Sequence, residues 1–453
     1  MKTLFLVRHG KSSWADPNLA DAQRPLKKRG HRQATALGPA LRARGALGGR
    51  IVSSPAVRAR ETTRVMLDST TGQEATSPEI QDALYIFSAE ALLDWLQSQP
   101  PRSPLTIVGH NPALLGLANR LLNGRLEHLP TGAVVEITLP GQSWRQVGRQ
   151  TAEKTALLLP EHLSYKLFKR KAPSPPPELS HSSLSRRIPA SLAHQAQIIL
   201  ALEPGVRMGV DPEFLHQFRV NLRRSRAIAE ALQRVEKNST LKKATKGLKR
   251  QAQETSQLRD LDVFLETLSA WNEDPERAGL IQTIGLESIF RDRQQQEHER
   301  LCRVLDSDAY NHDIQRWQSL IEEGTVSDLT RQIKRKRIHK AIDRQIARHN
   351  DLLEGLDADS PDSDFHTLRK ALKRVRYMFE LDPGHLAIKD LKARQKLLGS
   401  FQDRHVQLAF LCELDTPALG AAPRSALKTL VNHVSEEKRQ ARDRILSLTP
   451  LQR

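Results

Sequence analysis

The sequence predicts a multidomain chain, an α/β layered domain followed by an all-α half. Three observations lead there. Up to about residue 160, short β-rich runs alternate with helix-like segments. A proline-rich stretch, Lys171-Ala-Pro-Ser-Pro-Pro-Pro-Glu178, then interrupts the chain. Beyond Ser185 the strand signals vanish, and long runs of Leu, Ala, Gln, Glu, Lys and Arg take over.

The elements follow in order. Thr3–Val7 is the first expected strand, an apolar run that leads directly into Arg8-His9-Gly10. A helix is expected after Gly30 and a second strand at Arg50–Ser53. Pro55 can open the next helix, because proline suits the first helical turn. Further helices are expected after Ser88 and Pro112, with strands at Leu105–Val108 and Val134–Leu139. Strand–helix alternation of this kind argues for a largely parallel sheet.

Consecutive prolines cannot continue a helix or join a sheet interior, so residues 163–185 are expected to form an extended linker. The first domain then spans 1–162 and the helical one 186–446. The helical half contains an internal repeat. Phe214-Leu-His-Gln-Phe-Arg-Val-Asn-Leu-Arg-Arg-Ser-Arg226 parallels Asp364-Phe-His-Thr-Leu-Arg-Lys-Ala-Leu-Lys-Arg-Val-Arg376. Each copy has a shorter echo, Leu258-Arg-Asp-Leu-Asp262 after the first and Phe401-Gln-Asp403 after the second.

The 453 residues carry a net charge of +18, which implies an anionic partner. Both parts contribute: 20 Lys and Arg face 13 Asp and Glu through Tyr165, and 50 face 39 beyond it. Cys302 and Cys412 are far apart and lack metal-ligand spacing, as expected of reduced thiols in a cytoplasmic protein. No apolar run approaches the ~18 residues that span a bilayer. The first residues meet Arg8-His9 too early for a signal peptide. No membrane association, metal or cofactor is expected.

A phosphoryl-transfer site without metal must neutralise about two negative charges and supply a nucleophile. His9 would stand at a strand's C-terminal end, where open α/β sheets place ligand sites. Arg8 can fork onto phosphate oxygens, and Gly10 permits close backbone approach. After the second strand, Ser53-Ser-Pro-Ala-Val-Arg58 would aim a helix start and Arg58 at an anion. After the third, Val108-Gly-His110-Asn-Pro112 repeats the strand-to-helix junction. The alternative for Arg58 and His110 is local capping or pairing.

On a helical wheel, His216, Arg219, Arg223 and Arg226 share an arc of roughly 80°. His366, Arg369, Lys373 and Arg376 repeat it with the same offsets. Beside each basic stripe runs an apolar one, Leu215, Phe218 and Leu222 in the first copy and Phe365, Leu368, Leu372, Val375 and Phe379 in the second. Like charges at these spacings cost a few tenths of a kcal/mol per pair. The rows therefore read as a polyanion site; the alternative is a solvated face paired with Asp260, Asp262 or Asp403. Aromatic residues make up only 4% of the chain, poor equipment for stacking nucleic-acid bases.

The N-terminal motifs resemble the histidine phosphatase superfamily. Arg8-His-Gly-Lys-Ser-Ser-Trp14 and Asp21-Ala-Gln-Arg24-Pro-Leu-Lys-Lys-Arg-Gly30 narrow the resemblance to SixA-like phosphohistidine phosphatases. It implies a three-layer α/β domain with His9 as nucleophile. Arg8, Arg58 and His110 would bind the phosphoryl group, and Arg24 would lie near the pocket. The general acid stays open between Asp21, Asp82 and none. An imidazole leaving group, with a pKa near ~6.5, needs little protonation help. The two His-x-x-Arg helices and Leu258–Asp262 resemble the CHAD domain, a pseudo-symmetric helical bundle that binds inorganic polyphosphate. Two departures stand out: Phe401-Gln-Asp403 replaces Leu-Arg-Asp, and Ser225 occupies a usually apolar position.

The leading reading is a cytoplasmic phosphatase of phosphohistidine proteins, targeted or regulated by polyphosphate and able to associate with polyphosphate granules. The alternatives are a phosphatase of a small phosphorylated metabolite and a mainly non-catalytic polyphosphate-binding protein. Nucleic-acid binding is the weakest.

Overall fold

Six strands build one sheet in the computed structural model: β1 (Lys2–Arg8), β2 (Arg50–Ser53), β3 (Glu79–Ile80), β4 (Leu105–Gly109), β5 (Val134–Leu139) and β6 (Lys154–Leu158). Their order is β3-β2-β4-β1-β5-β6. The first four pair in parallel; β5 is antiparallel to β1, and β6 to β5. The structure describes residues 1–70, 77–123, 126–148, 152, 154–174, 176, 182–382, 388–416 and 419–452. Part of the expected linker, residues 175 and 177–181, lies outside the described residues.

Alternation along β1 makes the layers, because successive side chains leave a strand on opposite faces. Leu4 and Leu6 bury on one face with Leu92, Leu93 and Leu96 of α3 (Ala89–Gln97) and Leu114 and Leu117 of α4 (Ala113–Leu121). Phe5 and Val7 bury on the other with Leu37 and Leu41 of α1 (Lys28–Ala43) and Ala59 and Met66 of α2 (Val57–Asp68). The three layers are thus helix, sheet, helix. Two single-turn helices follow β6, α5 (Pro160–Leu163) and α6 (Tyr165–Phe168).

All four expected strands and all four expected helices are present. Helix α1, however, begins at Lys28, so Gly30 lies inside its first turn and does not precede it. The reason is a close backbone crossing. A Cβ on Gly10 would stand 2.7 Å from the Gly30 carbonyl oxygen, and one on Gly30 would clash with the Lys11 carbonyl. The expected strands omitted β3 and β6, the two sheet edges. Both residues of β3 are exposed, and such a strand is held by backbone pairing that leaves no hydropathy pattern.

The chain divides into two compact units, Met1–Ala172 with Leu202–Phe214, and Pro173–Ala201 with Leu215–Arg453. Helices continue with α7 (Leu184–Met208), α8 (Glu213–Val235), α9 (Ser239–Glu254), α10 (Ser256–Trp271), α11 (Pro275–Ile284) and α12 (Leu286–Leu305). They end with α13 (Asp308–Glu322), α14 (Thr325–Gln332), α15 (Arg335–Glu354), α16 (Asp362–Met378), α17 (Ile388–Cys412) and α18 (Ala421–Leu446). The two repeats lie on α8 and α16, and their echoes on α10 and α17. α9 packs on α13, α10 on α12, α15 on α16, and α17 on α18.

The apolar stripes are buried: Leu215, Phe218 and Leu222 on α8, and Phe365, Leu368, Leu372 and Val375 on α16. Phe379 is only half-buried, because α16 ends at Met378 and that methionine fills the interior position. Ser225, the counterpart of Val375, is fully buried, and its hydroxyl donates to Oε1 of buried Gln195 at 2.8 Å. That bond avoids the ~1–3 kcal/mol cost of an unpaired buried hydroxyl. Among the described residues, no helix is long and apolar enough to cross a membrane.

Candidate active site and basic cavity

Sheet register gathers the three N-terminal motifs. Arg8 of β1 is level with Gly109 of β4, and Val108 of β4 with Ser53 of β2. Three neighbouring parallel strands therefore end together and release His9, Ser54 and His110 from one edge, the place where crossovers of this kind open a crevice. The His9 backbone N–H donates to the Gly109 carbonyl at 3.2 Å, and that of Ser54 to the Val108 carbonyl at 2.9 Å.

His9 is 8% exposed. Its Nδ1 lies 2.8 Å from the Gly10 carbonyl oxygen, which can only accept, so Nδ1 carries the proton and Nε2 keeps a lone pair. Nε of Arg58 donates to that Nε2 at 3.2 Å. Burial, with the charges of Arg58 and Arg8 adding to it, pushes the His9 imidazole down to about 4. It is neutral at physiological pH, as a nucleophile must be.

Arg58, in the first turn of α2, is the hub. Nη2 donates to Oδ2 of Asp21 at 2.7 Å and to Nδ1 of His110 at 3.2 Å, and Nη1 bonds the Asp21 carbonyl. With Nδ1 accepting, His110 carries its proton on Nε2 and donates to Oγ of Ser54 at 2.7 Å. Burial, then the neighbouring His9 and Arg58, pushes His110 down to about 3.

Asp21 accepts from Tyr85 Oη at 2.8 Å as well as from Arg58. Burial pushes its carboxyl up, but the bonds from Tyr85 and Arg58 and the Arg58 and Arg24 charges outweigh this and hold it below the usual carboxylate range. Asp82 is exposed and begins a separate single turn, Asp82–Leu84; Tyr85, just past that turn, is what reaches the cluster. Arg24 lies 3.6 Å from Asp21 and stacks 3.6 Å over the Trp14 ring. Arg8 donates to the Leu129 carbonyl at 2.6 Å. Nε of both Arg8 and Arg24 is buried without a partner among the described residues. Unsatisfied buried cationic donors beside a neutral histidine suit an incoming anion.

Gly10 serves a purpose the motif did not suggest: it admits Gly30 of α1, while its own N–H donates to Oγ1 of Thr62 at 2.9 Å. Thr62 in turn donates to the Arg58 carbonyl at 2.6 Å, one helical turn back. Sequence reasoning missed Ser54, Thr62, Tyr85 and Phe87. Only Thr62 left a signal, its i,i+4 spacing from Arg58. Phe87, 5.6 Å from His110 and 43% exposed, lies at the mouth. Among the described residues, no group of three or more His, Cys, Asp or Glu is set to hold a metal ion.

In the helical unit, Arg219, Arg223 and Arg226 from α8 and His366, Arg369 and Lys373 from α16 line one cavity of about 340 Å³. His216 and Arg376 are not among its lining; Arg376 is exposed and bonds Gln395 at 2.7 Å. Arg219 is anchored by Oγ1 of Thr255 at 2.7 Å, and burial followed by the Arg223 charge pushes it down to about 10. Arg223, Arg369 and Lys373 have no hydrogen bond or ion pair among the described residues. Asp260 and Asp403 share the cavity without an ion pair, and burial raises both; Asp262 bonds Gln294 instead. The carboxylates make no direct ion pair with the row of cations, although Asp403 acts through space on Arg369 and Lys373, and Asp260 on Arg219 and Arg369. Burial, then Arg369, Arg223 and Arg226, pushes Lys373 down to about 7. Burial also pushes His366 down, although Oε1 of Gln402 accepts from its Nδ1 at 2.6 Å.

Residues 4–85 match the family model of the histidine phosphatase superfamily (branch 1), and residues 190–412 that of the CHAD domain. An uncharacterized chloroplastic protein of Arabidopsis thaliana is 31% identical over 153 residues, 32% of this chain and 70% of its own length. The CHAD domain from the plant Ricinus communis superposes with a TM-score of 0.50 at 22% identity, over 62% of this chain and 97% of that one. The protein histidine phosphatase SixA complexed with tungstate gives 0.30 at 21% identity, over 36% of this chain and 99% of that one. The chain belongs to the histidine phosphatase superfamily through its N-terminal α/β domain and carries a CHAD domain in its helical half.

Proposed function

We propose that the N-terminal domain is a phosphohistidine phosphatase of the SixA type, acting on phosphorylated histidine in proteins. Nε2 of His9 attacks phosphorus; the new N–P bond forms as the bond to the leaving imidazole breaks. Arg8, Arg58 and His110 hold the phosphoryl oxygens, and Arg24 meets the substrate at the rim. The substrate ring takes a proton from solvent on its unphosphorylated nitrogen before the bond breaks, and so leaves as a neutral imidazole. Water then attacks phosphorylated His9, returning the neutral imidazole and inorganic phosphate. The bound phosphoryl group supplies the negative charge that two arginines and two neutral histidines lack.

The observation that carries the substrate class is the state of Asp21. Its carboxylate is ionised and held by Arg58 and Tyr85, so it orients Arg58 and has no proton to give. An imidazole leaving group tolerates this; an alkoxide does not. The test is hydrolysis of a phosphohistidine protein against a panel of alkyl phosphomonoesters, with His9→Ala as control. Equal inertness of wild type and His9→Ala on every substrate would leave a non-catalytic protein; preference for the alkyl esters would favour a metabolite phosphatase.

The helical domain, in the same reading, binds inorganic polyphosphate and so targets or regulates the phosphatase. Six basic residues converging on one cavity, with Arg223, Arg369 and Lys373 in no direct ion pair, support this, since buried positive charge in excess of Asp260 and Asp403 favours an anionic ligand. Cys302 and Cys412 are not joined in a disulfide, which suits a reducing cytoplasm. Phosphatase activity with and without polyphosphate tests whether the two domains are coupled.

A further inference from the structure

A second basic cavity lies beside the first. It has a volume of about 590 Å³, at the C-terminal end of α8 and along α9. Arg234, Lys237, Lys242, Lys246 and Lys249 supply its cations. The side chains of the four lysines make no hydrogen bond or ion pair among the described residues.

The basic stripe of α8 runs into it. Arg219, Arg223, Arg226 and Arg234 stay within an arc of roughly 80°, and Glu230 is the one acid on that arc; Lys237 follows just past the helix end. Glu230 divides the two cavities. Its Oε1 lies 3.5 Å from Nε of Arg226, which lines the first, and its Oε2 lies 3.8 Å from Nη2 of Arg234, which lines the second. From Arg226 to Arg234 the stripe advances about 12 Å along the helix. On α9, Lys242, Lys246 and Lys249 keep to an arc of about 60°.

We propose that the second cavity is a subsite for the continuation of a phosphate chain that leaves the first cavity at Arg226 and passes Glu230. This rests on the reading of the first cavity as a polyphosphate site. No residue lining the second cavity is aromatic, so nucleic-acid bases would find nothing to stack on. The cations also change type. Arginines with fixed forks dominate the first cavity; flexible lysines, each a point charge, dominate the second. The first suits gripping a few phosphates and the second a repeating, uniform anion.

The full-length protein is titrated with tripolyphosphate and with long-chain polyphosphate across a salt series. The triple variant Lys242→Gln, Lys246→Gln, Lys249→Gln alters only exposed side chains of α9. It should weaken long-chain binding roughly tenfold and flatten the log Kd against log salt slope by about 2, leaving tripolyphosphate within about twofold. Glu230→Gln should tighten long-chain binding. Unchanged long-chain affinity in the triple variant, or an equal loss for tripolyphosphate, overturns the subsite. Arg369→Gln separates the two readings: it should weaken tripolyphosphate binding. Should wild type bind neither ligand, the first-cavity reading falls and the subsite with it.

Discussion

Arg58 and His9 meet nitrogen to nitrogen, with Nε donating to Nε2 across 3.2 Å. The contact fixes which nitrogen of His9 bears the lone pair, and the Gly10 carbonyl on Nδ1 enforces the same tautomer from the other side. The guanidinium that contacts His9 also touches His110 and Asp21. A phosphoryl group entering between Arg58 and Nε2 therefore meets donors already aimed, so little reorganisation remains for the reaction itself.

Replacing Arg58 by lysine should lower kcat/KM by about 10²–10³-fold, because an ammonium on a flexible stem cannot serve His9, His110 and Asp21 together. Steady-state kinetics on a phosphohistidine protein check this. Retention of more than about a third of the activity would show that charge alone suffices.

Asp21→Asn separates orientation from acid catalysis. An orienting Asp21 predicts the same modest loss, about tenfold, for every leaving group. An acid predicts a loss that grows with leaving-group pKa. The measurement is a series of phosphoramidates and phosphate esters, and a variant-specific steepening of the leaving-group dependence would restore Asp21 as proton donor.

His9 and His110 should remain neutral well below the ordinary histidine range. With values of about 4 and about 3 in the unliganded site, neither gains a proton as pH falls from about 8 to about 5. Nitrogen chemical shifts of labelled histidines should show His9 as the Nδ1–H and His110 as the Nε2–H tautomer across that range. A His9 titration near ~6.5 would contradict the burial argument.

Gly30→Ala should destabilise the N-terminal unit by about 1–3 kcal/mol, because the new methyl meets Lys11 backbone rather than a side chain that can swing away. Thermal unfolding reports the loss. KM should rise with it, since Gly10 and Lys11 directly follow His9.

Polyphosphate affinity should weaken as pH rises from about 6 to about 8.5, with Lys373 as the cause. Its value of about 7 means that the empty cavity loses this charge above neutrality, and an anion must draw a proton in to recover it. Lys373→Arg stays charged and should flatten the profile relative to wild type. His366 lines the same cavity, but burial holds it below its ordinary value, so the lysine titrates first. Identical profiles for both proteins would remove Lys373 from this role.

Much of the fold was legible from local pattern. The continuous apolar run Leu4, Phe5, Leu6 and Val7 before Arg8 needed no partner to be recognised, because both faces of a central strand are buried. The edge strands β3 and β6 carried no such pattern. In the helical half, the repeat on α8 and α16 announced itself through matching offsets, and six of its eight basic residues share a cavity. His216 and Arg376 have the right spacing, but the cavity is shorter than the stripe.

The sequence by itself determined which residues stand at strand ends and which lie on basic helix faces, since both follow from periodicities of two and 3.6 residues. Only the tertiary structure decided what those residues meet. Arg58 reaches His9 across 49 positions and Tyr85 reaches Asp21 across 64. Burial lowers the proton affinity of His9 and Lys373, and the bonds from Tyr85 and Arg58 outweigh burial to keep Asp21 ionised. Proton affinities depend on depth and on neighbours in space, and neither is written in the order of residues along the chain.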